Sequence, residues 1–84
     1  MKTFFRWSER ARADLRAIDP QNARRILDAL ARYARTDIGD VTALRGRFFG
    51  QYRLRVGPWR VRFRPIQPDS FDVLAIEKRG DAYR

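Results

Sequence analysis

Between residues 52 and 64 the chain keeps a strict period of two, and this stretch restricts the fold more than any other. Tyr52, Leu54 and Val56 alternate with Arg53 and Arg55. After Gly57-Pro58, Trp59, Val61 and Phe63 alternate with Arg60, Arg62 and Arg64. Successive side chains of a strand point to opposite faces, so the pattern predicts two half-buried antiparallel strands joined by a tight turn. In register, their arginines share one face and their apolar residues the other. A lone hairpin is marginal in water, so the apolar face must be covered by the rest of the chain.

The flanking sequence supplies that cover. Residues 3 to 7, Thr-Phe-Phe-Arg-Trp, are β-branched or aromatic and predict a first strand that stops at Ser8, a good helix N-cap. From 8 to 18, Ala11, Leu15 and Ile18 recur at steps of four and three, with Glu9 in the first turn, as in a short amphipathic helix. Asp19-Pro20 is a second cap and first-turn pair. Ala23, Ile26, Leu27, Leu30, Tyr33 and Ala34 keep one face apolar to about residue 35. Residues 36 to 42 read as a loop, Pro68-Asp69-Ser70 as a turn, and 71 to 79 as a last strand before Gly80. In that strand, simple alternation turns Leu74 and Ile76 toward the helices and Arg79 toward the arginines. The class is α+β with the order β-α-α-β-β-β: two N-terminal helices packed on one face of a small, mainly antiparallel sheet, leaving the arginine face open.

Length and composition narrow the function. Residues 1–84 are expected to form a single domain. The absence of cysteine removes disulfides, zinc fingers and thiol nucleophiles and points to the cytoplasm, and the absence of histidine removes the usual base near neutral pH. No metal and no cofactor is expected, and no apolar run approaches the length of a membrane span. The formal charge is +9, and 17 of the 19 basic residues are arginines, whose planar fork grips phosphate or carboxylate in a bidentate way. Between residues 41 and 68 lie seven arginines and no acid: Arg45, Arg47, Arg53, Arg55, Arg60, Arg62 and Arg64. Like charges on adjacent strands repel, so such a face fits a phosphate-bearing partner, an acidic protein or a purely solubilising role. The helix arginines are interleaved with Glu9, Asp14, Asp19 and Asp28 and read as ordinary exposed faces. Trp7, Phe63 and Phe71 read as core, and Tyr83 as an exposed ring in a polar tail.

Three spaced segments carry a resemblance: Leu44-Arg45-Gly46; Tyr52-Arg53-Leu54-Arg55-Val56-Gly57-Pro58-Trp59-Arg60-Val61; and Ile76-Glu77-Lys78-Arg79-Gly80-Asp81-Ala82-Tyr83. With Trp7-Ser8, Ala11, Asp14 and Leu15, they resemble the RelE/ParE superfamily of bacterial toxins of type II toxin–antitoxin systems. In RelE-like members the resemblance implies a ribonuclease that enters the ribosomal A site, cuts mRNA with 2′,3′-cyclic phosphate and 5′-hydroxyl ends, and is neutralised by a cognate antitoxin. The family's catalytic set falls on Arg53, Arg55, Arg60, Arg79 and Tyr83, with Arg45, Arg47, Arg62, Arg64 and Lys78 as the surrounding RNA-binding residues. RelE has lysines where Arg53 and Arg55 stand. Since arginine stays protonated, these two suit holding phosphate better than taking a proton, which leaves Glu77, Asp81, Tyr83, a ribosomal group or water as acceptor. The same superfamily implies a ParE-type DNA gyrase poison as a second reading, and a non-catalytic module binding nucleic acid or antitoxin is a third.

Overall fold

A computed structural model of the chain describes residues 4–79. The elements run β1 (Phe4–Trp7), α1 (Glu9–Arg16), α2 (Pro20–Thr36), β2 (Val41–Ala43), a 3-10 turn (Gly46–Phe48), β3 (Tyr52–Val56), β4 (Trp59–Ile66) and β5 (Ser70–Lys78). The strands form one sheet in the order β1-β5-β4-β3-β2, antiparallel except for the β1–β5 pair. The expected order holds, with β2 as an additional short strand on the β3 edge. Its backbone pairing continues beyond the strand at both ends, through Arg55 N–H to the Asp40 carbonyl (2.9 Å) and Leu44 N–H to the Gln51 carbonyl (3.0 Å).

Both helices start where their caps predict. The Ser8 hydroxyl accepts the Ala11 N–H at 3.0 Å, and the Asp19 carboxylate accepts the Asn22 backbone N–H at 3.1 Å and its side-chain amide at 2.8 Å. α2 ends as Asp37 turns left-handed at φ 59°, with its N–H on the Tyr33 carbonyl at 2.8 Å. The apolar stripes meet the sheet in a core of Ala11, Ile18, Ile26, Leu30, Leu54, Val61, Phe63, Val73 and Ile76. Around it the rings of Phe5, Phe71, Phe63, Tyr33 and Tyr52 pack at centroid distances of 5.2 to 6.0 Å. Phe63 is fully buried and Trp7 and Phe71 pack against the core, as expected.

The hairpin is in register: Val56 pairs with Trp59, Arg55 with Arg60, Leu54 with Val61 and Arg53 with Arg62. Only Gly57-Pro58 remain for the turn, and Gly57 takes φ +59°, which such two-residue loops require at their first position. β5 departs from simple alternation. Phe63 faces Val73 and Arg62 faces Ala75, so Leu74 is the extra residue of a bulge. The bulge hands the core position to Val73 and leaves Leu74 half-buried outside the core, while Ile76 keeps its expected place.

β1 covers only the first half of the outer edge of β5, and α1 closes the rest with side chains. The Ser8 hydroxyl donates to the Leu74 carbonyl at 2.9 Å, and an Asp14 carboxylate oxygen accepts the Ile76 N–H at 2.9 Å. Asp14 therefore belongs to the sheet edge and not to a solvated helix face. No helix among the described residues is long and apolar enough to cross a membrane.

Candidate nucleic-acid interface

The face of β3 and β4 turned away from the helices carries Arg53 opposite Arg62 and Arg55 opposite Arg60. Cβ atoms directly opposite on antiparallel strands stand only about 4.5–5.5 Å apart, so four guanidiniums in this square repel unless each is led elsewhere. The structure leads them apart. Arg60 folds back over the turn, its Nη1 donating to the carbonyls of Gly57 (3.1 Å) and Trp59 (3.3 Å). Arg55 leans toward β2, its Nε 4.0 Å from the Asp40 carboxylate, and stays exposed. Arg53 is half-buried, in register with Thr42 on one side and Arg62 on the other.

Arg62 has another role. Its side chain is only 15% exposed, with Nη1 donating to the Gln51 amide oxygen at 3.0 Å and the guanidinium 4.5 Å above the Phe48 ring. Its Nε lies 3.5 Å from Glu77 Oε1, an ion contact without hydrogen-bond geometry. Arg47 lies on the same Phe48 ring at 4.9 Å, so the ring takes two guanidiniums. Among the arginines assigned to RNA, Arg62 is thus committed to the fold. Glu77, in register with Arg60, is committed too: its second oxygen accepts Nη2 of Arg10 from α1 at 3.2 Å. Arg10 also reaches Asp14 at 3.4 Å, so this helix arginine ties α1 to the sheet, whereas Arg24 makes the ordinary exposed pair with Asp28 at 3.8 Å.

The remaining predicted residues divide by position. Arg79 follows β5 and donates its backbone N–H to the Pro58 carbonyl at 2.7 Å, which brings it beside the hairpin turn and the Arg55–Arg60 pair. Arg45 and Arg47 are exposed on the 3-10 turn bordering the face. Arg64 is exposed but sits four residues along β4 from Arg60, about 13 Å away. It stands opposite Asp72, which pairs with Arg6 at 3.3 Å. Lys78 is not on this face. It pairs in register with Trp59 and holds its ammonium 5.7 Å from the indole, on the helix side beside Arg10 and Asp14. Tyr83 lies outside the described residues. Sequence reasoning took Phe48 only as the start of the period-two stretch and gave neither it nor Phe49 a role, although an aromatic pair between Gly46 and Gly50 in an otherwise polar turn was visible as a signal.

Among the described residues no cluster of His, Cys, Asp or Glu stands in an arrangement that would hold a metal ion. The face is an open, cationic surface suited to gripping phosphates, and the carboxylate in register with Arg60, Glu77, has both oxygens engaged by arginines.

The fold has known counterparts. The family model described as the ParE toxin of the type II toxin–antitoxin system parDE matches residues 5–83. The chain belongs to this family. It is therefore a toxin of the RelE/ParE superfamily, one half of a two-component system whose other half is an antitoxin. Among solved structures, the archaeal RelE–RelB complex from Pyrococcus horikoshii is similar at 23% identity and a TM-score of 0.76, over 95% of this chain and 98% of that one. The toxin–antitoxin complex RelBE2 from Mycobacterium tuberculosis is similar at 22% identity and a TM-score of 0.69, over 94% and 100%. YafQ from E. coli reaches a TM-score of 0.78 over 99% and 100% at only 8% identity. At these identities the likeness is one of fold. No curated relative matches the chain by sequence. The two helices and five-stranded sheet of the toxin thus follow a shared plan.

Proposed function

We propose that this toxin is a ribosome-dependent endoribonuclease that cuts mRNA in the A site and so halts translation. The observation that carries the reading is the gathering of Arg55, Arg60 and Arg79 at the end of the β3–β4 hairpin, through the Arg55–Arg60 register and the Arg79–Pro58 hydrogen bond. Three arginines whose backbones flank one turn suit a phosphodiester whose charge grows during reaction. In that reaction a 2′-hydroxyl loses its proton and attacks the adjacent phosphorus. The bond from phosphorus to the 5′-oxygen then breaks, that oxygen leaves with a proton, and a 2′,3′-cyclic phosphate remains. Arg60 and Arg79 bind the non-bridging oxygens of the intervening phosphorane, where one well-placed donor contributes about 3 to 4 kcal/mol. Arg53 and Arg55 hold the phosphate without exchanging protons.

The proton acceptor is Tyr83, Asp81, a ribosomal group or water, because Glu77 is spent on Arg10 and Arg62. With so weak a base, the rate rests on alignment within the A site and on charge stabilisation. The toxin works in the cytoplasm, where its cognate antitoxin silences it. A second reading is favoured by the family model itself, whose description names ParE: the toxin would then act on DNA gyrase. Induction in cells separates the two. A nuclease stops translation and leaves cuts within ribosome-protected codons, whereas a gyrase poison leaves translation running at first and raises DNA-damage signalling. In a folded Arg60→Ala/Arg79→Ala variant, the nuclease reading requires toxicity to disappear, and full toxicity of that variant refutes it.

A further inference from the structure

Phe49 is 85% exposed, although its neighbour Phe48 is packed under two guanidiniums. An aromatic ring left in water forgoes the burial that about 150–250 Å² of apolar surface would give, and Phe49 is the most exposed of the large apolar side chains among the described residues. The backbone holds it out. Gly46 at φ +64° and Gly50 at φ +90° bracket the turn in the region that favours glycine, and the Phe49 N–H closes it on the Gly46 carbonyl at 3.0 Å. At Gly46 and Gly50 no atom beyond the adjoining residues lies within 4 Å of where a Cβ would stand, so both ends of the turn border open space while Phe48 alone packs back on the sheet.

The ring's surroundings are cationic and planar. Arg45 and Arg47 are exposed on the same turn, and the arginine face begins next to it at Arg62. Guanidiniums already lie over the Phe48 ring at 4.5 and 4.9 Å, so stacked planar groups are the local packing mode. A nucleobase extends such a stack and its flanking phosphates meet the arginines, whereas an acidic peptide satisfies the charges but offers no plane to the ring. We propose that Phe49, flanked by Arg45 and Arg47, is a base-stacking subsite that holds one unpaired nucleobase of the RNA at the rim of the arginine face. The inference rests on the RNA-directed reading of the toxin.

The test uses the full chain and an unstructured RNA 12-mer, with affinity read by fluorescence anisotropy at fixed salt. Phe49→Ala and Phe49→Leu should weaken RNA binding about 5- to 100-fold, and Phe49→Trp should restore it. Binding of inorganic polyphosphate should be the same for Phe49→Ala as for the parent. Arg45→Ala and Arg47→Ala should lower both affinities and each flatten the salt slope by about one. Full RNA affinity in Phe49→Ala or in Phe49→Leu overturns the inference. So does a Phe49→Ala protein that keeps RNA but loses its antitoxin, since the ring would then be a protein contact. Cleavage is scored separately: Phe49-dependent binding without cutting keeps the subsite and defeats the nuclease, and cutting that ignores Phe49 in both binding and rate does the reverse.

Discussion

Replacing Arg62 by alanine separates the structural arginine of the hairpin from its neighbours. The side chain makes a hydrogen bond from a charged group to Gln51, worth about 1.5 to 3 kcal/mol. Its contact with the Phe48 ring adds about 1 kcal/mol and the Glu77 ion contact about 0.5 to 1 kcal/mol after screening. Ordering a long arginine side chain gives back about 2 kcal/mol. The net loss is about 1 to 3 kcal/mol, with Glu77 still held by Arg10. For a domain of this size that lowers the melting temperature by about 4 to 24 °C. Urea unfolding followed by circular dichroism gives the free energy, and Arg64→Ala, on an exposed residue of the same strand, provides the comparison at less than about 0.5 kcal/mol. Arg62→Lys should recover only part of the loss, because an ammonium lacks the planar fork. If Arg62→Ala and Arg64→Ala unfold at the same urea concentration, the assignment of Arg62 to the fold is wrong.

Other perturbations probe the edge of β5, the helix start and the aromatic cluster. Asp14→Leu leaves the Ile76 N–H without its acceptor and should cost about 1 to 3 kcal/mol and speed hydrogen exchange at Ile76, whereas Asp14→Asn keeps an acceptor and most of the protection. Ser8→Ala removes both the cap on α1 and the bond to the Leu74 carbonyl, so thermal melting should show a loss of about 1 to 2 kcal/mol. Burial, helped by the nearby Asp37 charge, raises the Tyr33 phenol above its ordinary value of 10.0. A raised acid favours the neutral form in the folded state, so its contribution is complete below pH 10 and is lost as pH climbs through the raised value. An ultraviolet titration of the parent against Tyr33→Phe should show one phenol ionising late, and a Tyr33 that titrates at its ordinary value would contradict this.

The hairpin was legible because its signal is local. A period of two, a glycine able to take positive φ and a proline after it specify strand, turn and strand without reference to anything distant. Where packing decides, the sequence is silent. Five arginines of identical parity look equivalent, yet Arg62 is covered because Phe48 folds over it from a turn fourteen residues earlier. The bulge at Leu74 has no marker, since Val73, Leu74 and Ile76 are all apolar, and it shifts which of them enters the core. Lys78 misled for a related reason, because its basic charge suggested the arginine face while the register sets it beside Trp59. β2 escaped notice because three residues with two exposed side chains carry no periodicity, and their place depends on β3. Asp14 read as part of an ordinary exposed helix face, as only the fold reveals a bare strand edge beside it.

The central claim is that arginines gathered at the β3–β4 turn cut RNA on the ribosome, and one measurement addresses it directly. Purified toxin is added to ribosomes programmed with a defined mRNA, and the RNA ends are mapped for the parent and for the Arg60→Ala/Arg79→Ala variant. The account predicts cuts within the A-site codon bearing 2′,3′-cyclic phosphate and 5′-hydroxyl ends, reduced by at least about 100-fold in the variant. Intact mRNA with the parent protein, under conditions where the same preparation arrests gyrase supercoiling, would contradict it.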